Sequence, residues 1–411
     1  MKIFNRKLKI TSSALLTLCM VFVMTACAEN SSQSEKSQPA KQTTVQPTTM
    51  SAEEINDRKL DKFISDMTLE EKVGQMFFVR CPDEDAVKQV SEYNIGGYIL
   101  FGRDFDGKTK DEVVDDIHSY QNEADIPLLI GVDEEGGTVV RVSSNPNLRE
   151  TPFLSPKDTY ADGGWDAVKQ DAEEKADLLL SLGINVNLAP VCDMTSDEYG
   201  FMYDRSFSSD VDMENRYVRT VVETSKSKKL GTVLKHFPGY GNNSDTHTGI
   251  AHDDRYYSEF ENTDFKPFYQ GIESGADCIL VSHNIVNCMD SEYPASLSQK
   301  VHDILRNEFK FDGVIMTDDL IMDAITDFTG DEAAAVTAAK CGNDLLCCSS
   351  VDTQYPAVLE AVQNGEISET QVDASVKRIL KWKQNLGIFN IDTYQKKVKS
   401  TEPTDTVGSE E

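Results

Sequence analysis

The chain has 411 residues, 39% hydrophobic and 27% charged, enough to bury the core of one large domain or of two or three ordinary ones. Its formal net charge of −30 excludes a nucleic-acid partner, which would need a basic face for phosphates, and favours neutral or cationic ligands. Nine cysteines form no C-x-x-C pair, which excludes zinc-ribbon and thioredoxin-type chemistry.

Lys2, Arg6, Lys7 and Lys9 precede an apolar run over residues 14–26, too short to span a bilayer and patterned as a secretory signal peptide. The run ends Met24-Thr25-Ala26-Cys27, which resembles the lipobox of bacterial lipoproteins, with Cys27 as the lipidated residue. Residues 28–49 are mainly Ser, Gln, Thr, Pro and Lys, a composition unable to bury a core. The expected organisation is a signal peptide (1–27), a disordered tether (28–50), one catalytic domain (51–395) and a disordered acidic tail (396–411). The folded part is then displayed outside the cytoplasmic membrane on a lipid anchor. Past Cys27 seven cysteines remain, an odd number in a large chain, and they read as mostly buried free thiols.

Between residues 51 and 394 short apolar runs alternate with helical patterns. The runs predict eight strands, at 75–79, 97–101, 128–132, 186–191, 232–234, 278–281, 314–316 and 345–348, each apolar enough to be buried on both faces of a parallel sheet. Helices are predicted over 109–123, 165–182, 213–227, 265–274 and 299–309. Leu178, Leu179 and Leu182 supply a packed face to one of them. Thr109 with Glu112 has the spacing of a capping box, and Ser298 that of an N-cap. Eight alternations predict a (β/α)8 barrel, with a doubly wound open sheet as the competing architecture. Asp133, Asp193, Lys235, His236, His283 and Asp318 lie at or just past strand ends, which a barrel would gather on one face.

Four stretches carry chemistry. After the third strand comes Asp133-Glu134-Glu135-Gly136-Gly137 with Arg141 beyond it, either a solvated turn or an acidic cluster facing a ligand. Tyr203-Asp204-Arg205-Ser206-Phe207 sets an arginine among aromatics, as a structural ion pair or a ligand contact. Lys235-His236-Phe237-Pro238-Gly239-Tyr240-Gly241 runs on to Asp245-Thr246-His247, where a carboxylate can orient an imidazole that donates and accepts a proton near neutrality. His247, His252, Asp245 and Asp253 also offer zinc ligands, but their spacing matches no zinc motif. Thr317-Asp318-Asp319-Leu320 presents paired carboxylates after a buried strand, serving as helix caps or as a nucleophile.

Together these stretches resemble the β-N-acetylglucosaminidases of glycoside hydrolase family 3. The resemblance rests on Lys235-His236-Phe237-Pro238-Gly239-x-Gly241 with Asp245-x-His247, on Thr317-Asp318-Asp319-Leu320, and on Asp133-Glu134-Glu135-Gly136-Gly137 with Arg141. Leu188-Ala189-Pro190-Val191-x-Asp193 and Arg205-Ser206-Phe207 extend it, so that it covers residues 60–386. It implies a retaining, exo-acting enzyme that removes terminal N-acetylglucosamine from cell-wall muropeptides or related oligosaccharides. Asp318 would attack the anomeric carbon, and His247, paired with Asp245, would be the proton donor and acceptor. Asp133, Arg141, Arg205, Lys235 and His236 would hold the terminal sugar, and no cofactor is implied. A phosphorylase or β-glucosidase of the same family, or a tethered sugar-binding lipoprotein without turnover, are the alternatives. The chain departs from the family pattern at Tyr240 (usually His), at Glu134 (usually Gln), and in a span of three residues between Gly241 and Asp245 where four are expected.

Overall fold

A computed structural model describes residues 50–243, 246, 249–329 and 331–396. The leader, Cys27, the tether, the tail beyond Lys396, and both Asp245 and His247 lie outside the described residues.

The strands are β1 (Phe77–Arg80), β2 (Gly97–Leu100), β3 (Leu129–Val132), β4 (Val186–Asn187), β5 (Gly231–Phe237), β6 (His252–Asp253), β7 (Cys278–Val281), β8 (Ile285–Val286), β9 (Val314–Thr317) and β10 (Leu346–Cys348). Eight of them form one parallel sheet in the order β10-β1-β2-β3-β4-β5-β7-β9, and a parallel bridge from Met316 to Leu345 joins its two ends. The sheet therefore closes as the predicted barrel, and the open doubly wound alternative is excluded.

Alternation along the strands explains the layering. Phe78, Ile99, Leu129, Val233, Leu280 and Met316 belong to one buried cluster, while Phe77, Val79, Tyr98, Leu100, Ile130 and Val132 belong to another that includes the helices. Gly131 makes room for the first set: a Cβ there would meet the Phe78 ring at 2.5 Å. Ile379, Trp382 and Leu386, at the C-terminal end of helix Glu369–Asn385 and just past it, join the first cluster. The neighbouring Lys383 is fully buried with Nζ donating to Gln75 Oε1 at 2.8 Å, and burial pushes its ammonium down from 10.5 to about 7.

Several boundaries differ from expectation for identifiable reasons. Gln75 ends a helix, Leu69–Gln75, instead of opening a strand. The fourth strand pairs regularly only over Val186–Asn187, since Pro190 has no N–H to donate, and pairing resumes as a single bridge from Val191 to Lys235. β5 runs through Phe237, so Lys235 and His236 lie within the strand, beside a register shift between Leu234 and Phe237. The helix predicted from 165 begins at Pro156, capped by Ser155, and is broken at Gly163–Gly164. Past Asp303 the helix over Gln299–Asp303 widens into a π turn, Ile304–Glu308. The parallel ribbon of β6 and β8 was not legible in the sequence. Both predicted caps are present, Thr109 with Glu112 as a capping box and Ser298 accepting from the Val301 N–H.

Seven free cysteines lie among the described residues; Cys288 is exposed and the others are buried. No described helix is long and apolar enough to cross a membrane.

Candidate active site

Closing the barrel carries the strand-end residues to one cavity of about 540 Å³. Asp133, Arg141, Arg205, Lys235, His236 and Asp318, all singled out from the sequence, line it together. The two remaining candidates, Asp245 and His247, lie outside the described residues, although Thr246 between them is described and fully buried.

The acids after β3 point two ways, Asp133 and Glu135 toward Lys235 and Glu134 away from it. Glu134 turns into the protein, where its carboxylate accepts the N–H groups of Arg141 (2.8 Å), Val142 (2.7 Å) and Ser143 (3.2 Å) and the Ser143 hydroxyl. It therefore holds the segment carrying Arg141 and does not line the cavity, so the acidic cluster read from the sequence faces it without Glu134. Gly136 and Gly137, at φ of +103° and +63°, make the tight reversal possible.

Glu135 is the charge centre. Its carboxylate receives Lys235 Nζ at 2.6 Å and the Arg205 Nη2 and Nε at 2.7 and 3.0 Å, a two-pronged guanidinium contact. Burial alone would raise its pKa, but Lys235 and Arg205 outweigh that and hold it well below the usual carboxylate range. Lys235 also reaches Asp133 Oδ1 at 2.6 Å, and the two acids raise the ammonium's pKa against the opposing effect of burial. Arg205 thus pairs with Glu135 rather than with a neighbouring Asp. Glu135 was absent from the sequence-derived candidates because composition does not tell which acid of a Glu-Glu pair faces inward.

His236 is oriented just as firmly. Asp193 Oδ2 lies 2.7 Å from Nδ1 and accepts the His236 backbone N–H at 3.0 Å, while Oδ1 accepts the Tyr240 N–H at 2.7 Å. Arg205 Nη2 lies 3.2 Å from Nε2. A guanidinium only donates, so Nε2 accepts and Nδ1 carries the proton toward Asp193.

The paired carboxylates after β9 have different surroundings. Asp319 holds the turn after the strand and caps no helix, since the next helix begins only at Asp323: its side chain accepts from the Ser349 hydroxyl at 2.6 Å and the Ile321 N–H at 3.2 Å, and burial pushes its pKa up. Its carbonyl meets His283 Nε2 at 3.1 Å, whereas His283 Nδ1 meets Ser296 at 2.7 Å, so this strand-end histidine props the turn. Asp318 lines the cavity beside Asp319, with Oδ1 accepting the Asp319 N–H at 2.9 Å.

Tyr240 closes one wall, its ring edge-on to His236 at 5.2 Å and its hydroxyl bonded to that of Thr246. On another wall the Arg80 and Arg141 guanidiniums lie over the Phe101 ring, 4.5 and 5.9 Å from its centroid. Arg80 ends β1 and was not singled out from the sequence; an arginine closing a buried apolar run was the available signal. His252 is exposed, and Asp253 is occupied by Arg255 and Asn243, each at 2.7 Å. A cavity that combines carboxylates, ion-paired hydrogen-bonding groups and the apolar Phe101, Leu188 and Leu280 suits a polyhydroxylated ligand.

Known proteins resemble this chain in sequence and fold. The family model described as the glycosyl hydrolase family 3 N terminal domain matches residues 68–382. A β-hexosaminidase of Nitrosomonas eutropha is 32% identical over 273 residues, covering 64% of this chain and 77% of that protein. The solved structure of a glycoside hydrolase family 3 β-N-acetylglucosaminidase from Paenibacillus sp. str. FPU-7 matches with a TM-score of 0.73 at 29% identity; it covers 84% of this chain, which spans 66% of that one, just under two thirds. A β-N-acetylhexosaminidase from Beutenbergia cavernae matches with a TM-score of 0.70 at 25% identity, covering 78% of this chain and 99% of that chain.

Proposed function

Because the chain belongs to glycosyl hydrolase family 3, we propose that it is a retaining, exo-acting β-N-acetylglucosaminidase with Asp318 as its nucleophile. The observation carrying this reading is the convergence of Asp318 with Asp133, Arg141, Arg205, Lys235 and His236 on one cavity. The Asp133–Lys235–Glu135–Arg205 network fixes hydrogen-bonding groups for the terminal sugar, and Asp193 fixes the His236 ring beside them.

The reaction has two displacements. In the first, an Asp318 oxygen bonds to the anomeric carbon while the bond to the departing oxygen breaks, and that oxygen takes a proton from His247. Asp245 stabilises the imidazolium that supplies it. In the second, His247 accepts a proton from water as the water oxygen bonds to the anomeric carbon and the Asp318 ester breaks, which restores both residues. Cell-wall muropeptides and related oligosaccharides are the proposed substrates. The proposed location is outside the cytoplasmic membrane, through a lipid on Cys27; fatty-acid labelling that persists in Cys27→Ser would refute the anchor.

Hydrolysis of an aryl β-N-acetylglucosaminide tests the enzymatic reading. Wild type turns it over, and Asp318→Ala and His247→Ala each lose activity, the former by on the order of a thousandfold or more. An inactive wild type, or an Asp318→Ala variant as fast as wild type, overturns it.

A further inference from the structure

Four cationic side chains of arginine and lysine line the active cavity, and the protein neutralises two of them. Arg205 and Lys235 are spent on Glu135 and Asp133. Arg80 and Arg141 make no salt bridge to any described residue, and the Nε of each is enclosed without a hydrogen-bond acceptor. Their shared contact is the Phe101 ring, over which both guanidiniums lie.

The fold brings them there. Arg80 ends β1, Phe101 follows β2 and Arg141 follows β3, three strands paired side by side, so the trio occupies one sector of the cavity rim. Two like charges gathered on one ring repel each other, and the ring's cation–π attraction offsets only part of that. None of the described acidic residues supplies either of them with a carboxylate. Of the cavity's acids, Asp133 and Glu135 bind Lys235, Asp319 binds Ser349 and the Ile321 N–H, and Asp204 makes no salt bridge to either arginine. Asp318 faces the same cavity, so an incoming anion is drawn toward the arginines and repelled from the reacting carboxylate.

We propose that Arg80 and Arg141, seated on Phe101, form an oxyanion-binding subsite of this cavity that recognises a carboxylate carried by the glycoside or a free phosphate. The inference rests on the β-N-acetylglucosaminidase reading and adds a charge requirement to its substrate. A guanidinium presents paired N–H donors matched to the two oxygens of a carboxylate or phosphate, and two of them bracket such a group. A single arginine suffices for a neutral hydroxyl; the second, Arg80, marks the site as anionic.

The test uses two β-N-acetylglucosaminides that differ only in a carboxylate or its primary amide on the aglycone, with inorganic phosphate as a separate probe. Wild type prefers the carboxylate in kcat/KM by about tenfold at low salt, the scale of one charge-assisted hydrogen bond, and the preference shrinks as salt rises. Arg80→Gln brings the ratio close to one, while Arg80→Lys, which keeps the charge, retains an intermediate ratio. Circular dichroism and melting temperature establish that both variants are folded. If the oxyanion is phosphate, the carboxylate preference is absent, but phosphate competes with the amide substrate in wild type and competes less in Arg80→Gln. A wild type indifferent to both the carboxylate and phosphate, or preferences unchanged in Arg80→Gln, overturns the subsite. Turnover of the amide substrate by wild type reads the enzymatic function separately: its absence defeats that function, and its presence with a flat ratio defeats the subsite alone.

Discussion

The phenol of Tyr240 and the hydroxyl of Thr246 are bonded to each other inside the cavity wall, with their residues 1% and 0% exposed. Burial and then the Asp318 carboxylate push the phenol's pKa well above its ordinary value, so it is a neutral partner at every working pH. Thr246 stands between Asp245 and His247 in the chain. Tyr240→Phe leaves a buried hydroxyl unsatisfied, for which about 1–3 kcal/mol of stability is expected to be lost. Its catalytic signature is a steeper dependence of kcat/KM on leaving-group pKa across a series of aryl β-N-acetylglucosaminides. A parallel shift, equal for good and poor leaving groups, would count against a link between Tyr240 and proton donation.

Asp193 accepts from the His236 backbone and ring and from the Tyr240 backbone. Asp193→Ala removes the acceptor that fixes the Nδ1–H tautomer and leaves two buried backbone N–H groups unpaired as well as the ring N–H. A fall in kcat/KM of about 10- to 100-fold is expected, the range for losing charge-assisted hydrogen bonds. Steady-state kinetics on the aryl glycoside checks it.

Glu134 accepts from three successive backbone N–H groups and one hydroxyl in a fully buried setting. Glu134→Ala strands those donors and loosens the segment that carries Arg141. The expected loss is about 2–4 kcal/mol in urea unfolding, accompanied by a raised KM. A variant as stable as wild type would mean that water replaces the carboxylate.

Lys383 ties stability to alkaline pH. Its folded-state pKa, about 7 against an ordinary 10.5, lies below that of the unfolded chain. Between those values the unfolded state binds more protons, so the contribution of this group rises with pH across the window and is flat below it. Relative to Lys383→Met, wild type should gain about 2 kcal/mol between pH 7 and pH 9, bounded by about 1.4 kcal/mol per pH unit. Urea midpoints of both proteins at the two pH values read the difference.

The barrel was legible because its strands are short apolar runs with ionisable residues at their ends, and burial on both faces leaves that pattern little freedom. Asp133, Lys235, His236 and Asp318 were visible for the same reason. Glu135 and Glu134 were not separable, since a change of turn geometry exchanges which one faces the cavity. The π turn after Asp303 and the β6–β8 ribbon depend on tertiary pairing that no local pattern encodes. Arg80 escaped notice because its meaning comes from Phe101 and Arg141, which lie 21 and 61 positions further along the chain.

The Lys235–Glu135–Arg205 cluster also limits how this sequence can drift. Removing one member strands a buried charge, whereas a compensated exchange of two need not. Substitutions at these three positions are therefore tolerated in compensating combinations and not singly. Among diverging copies of the gene, the three should be inherited as one character, changing in concert where they change.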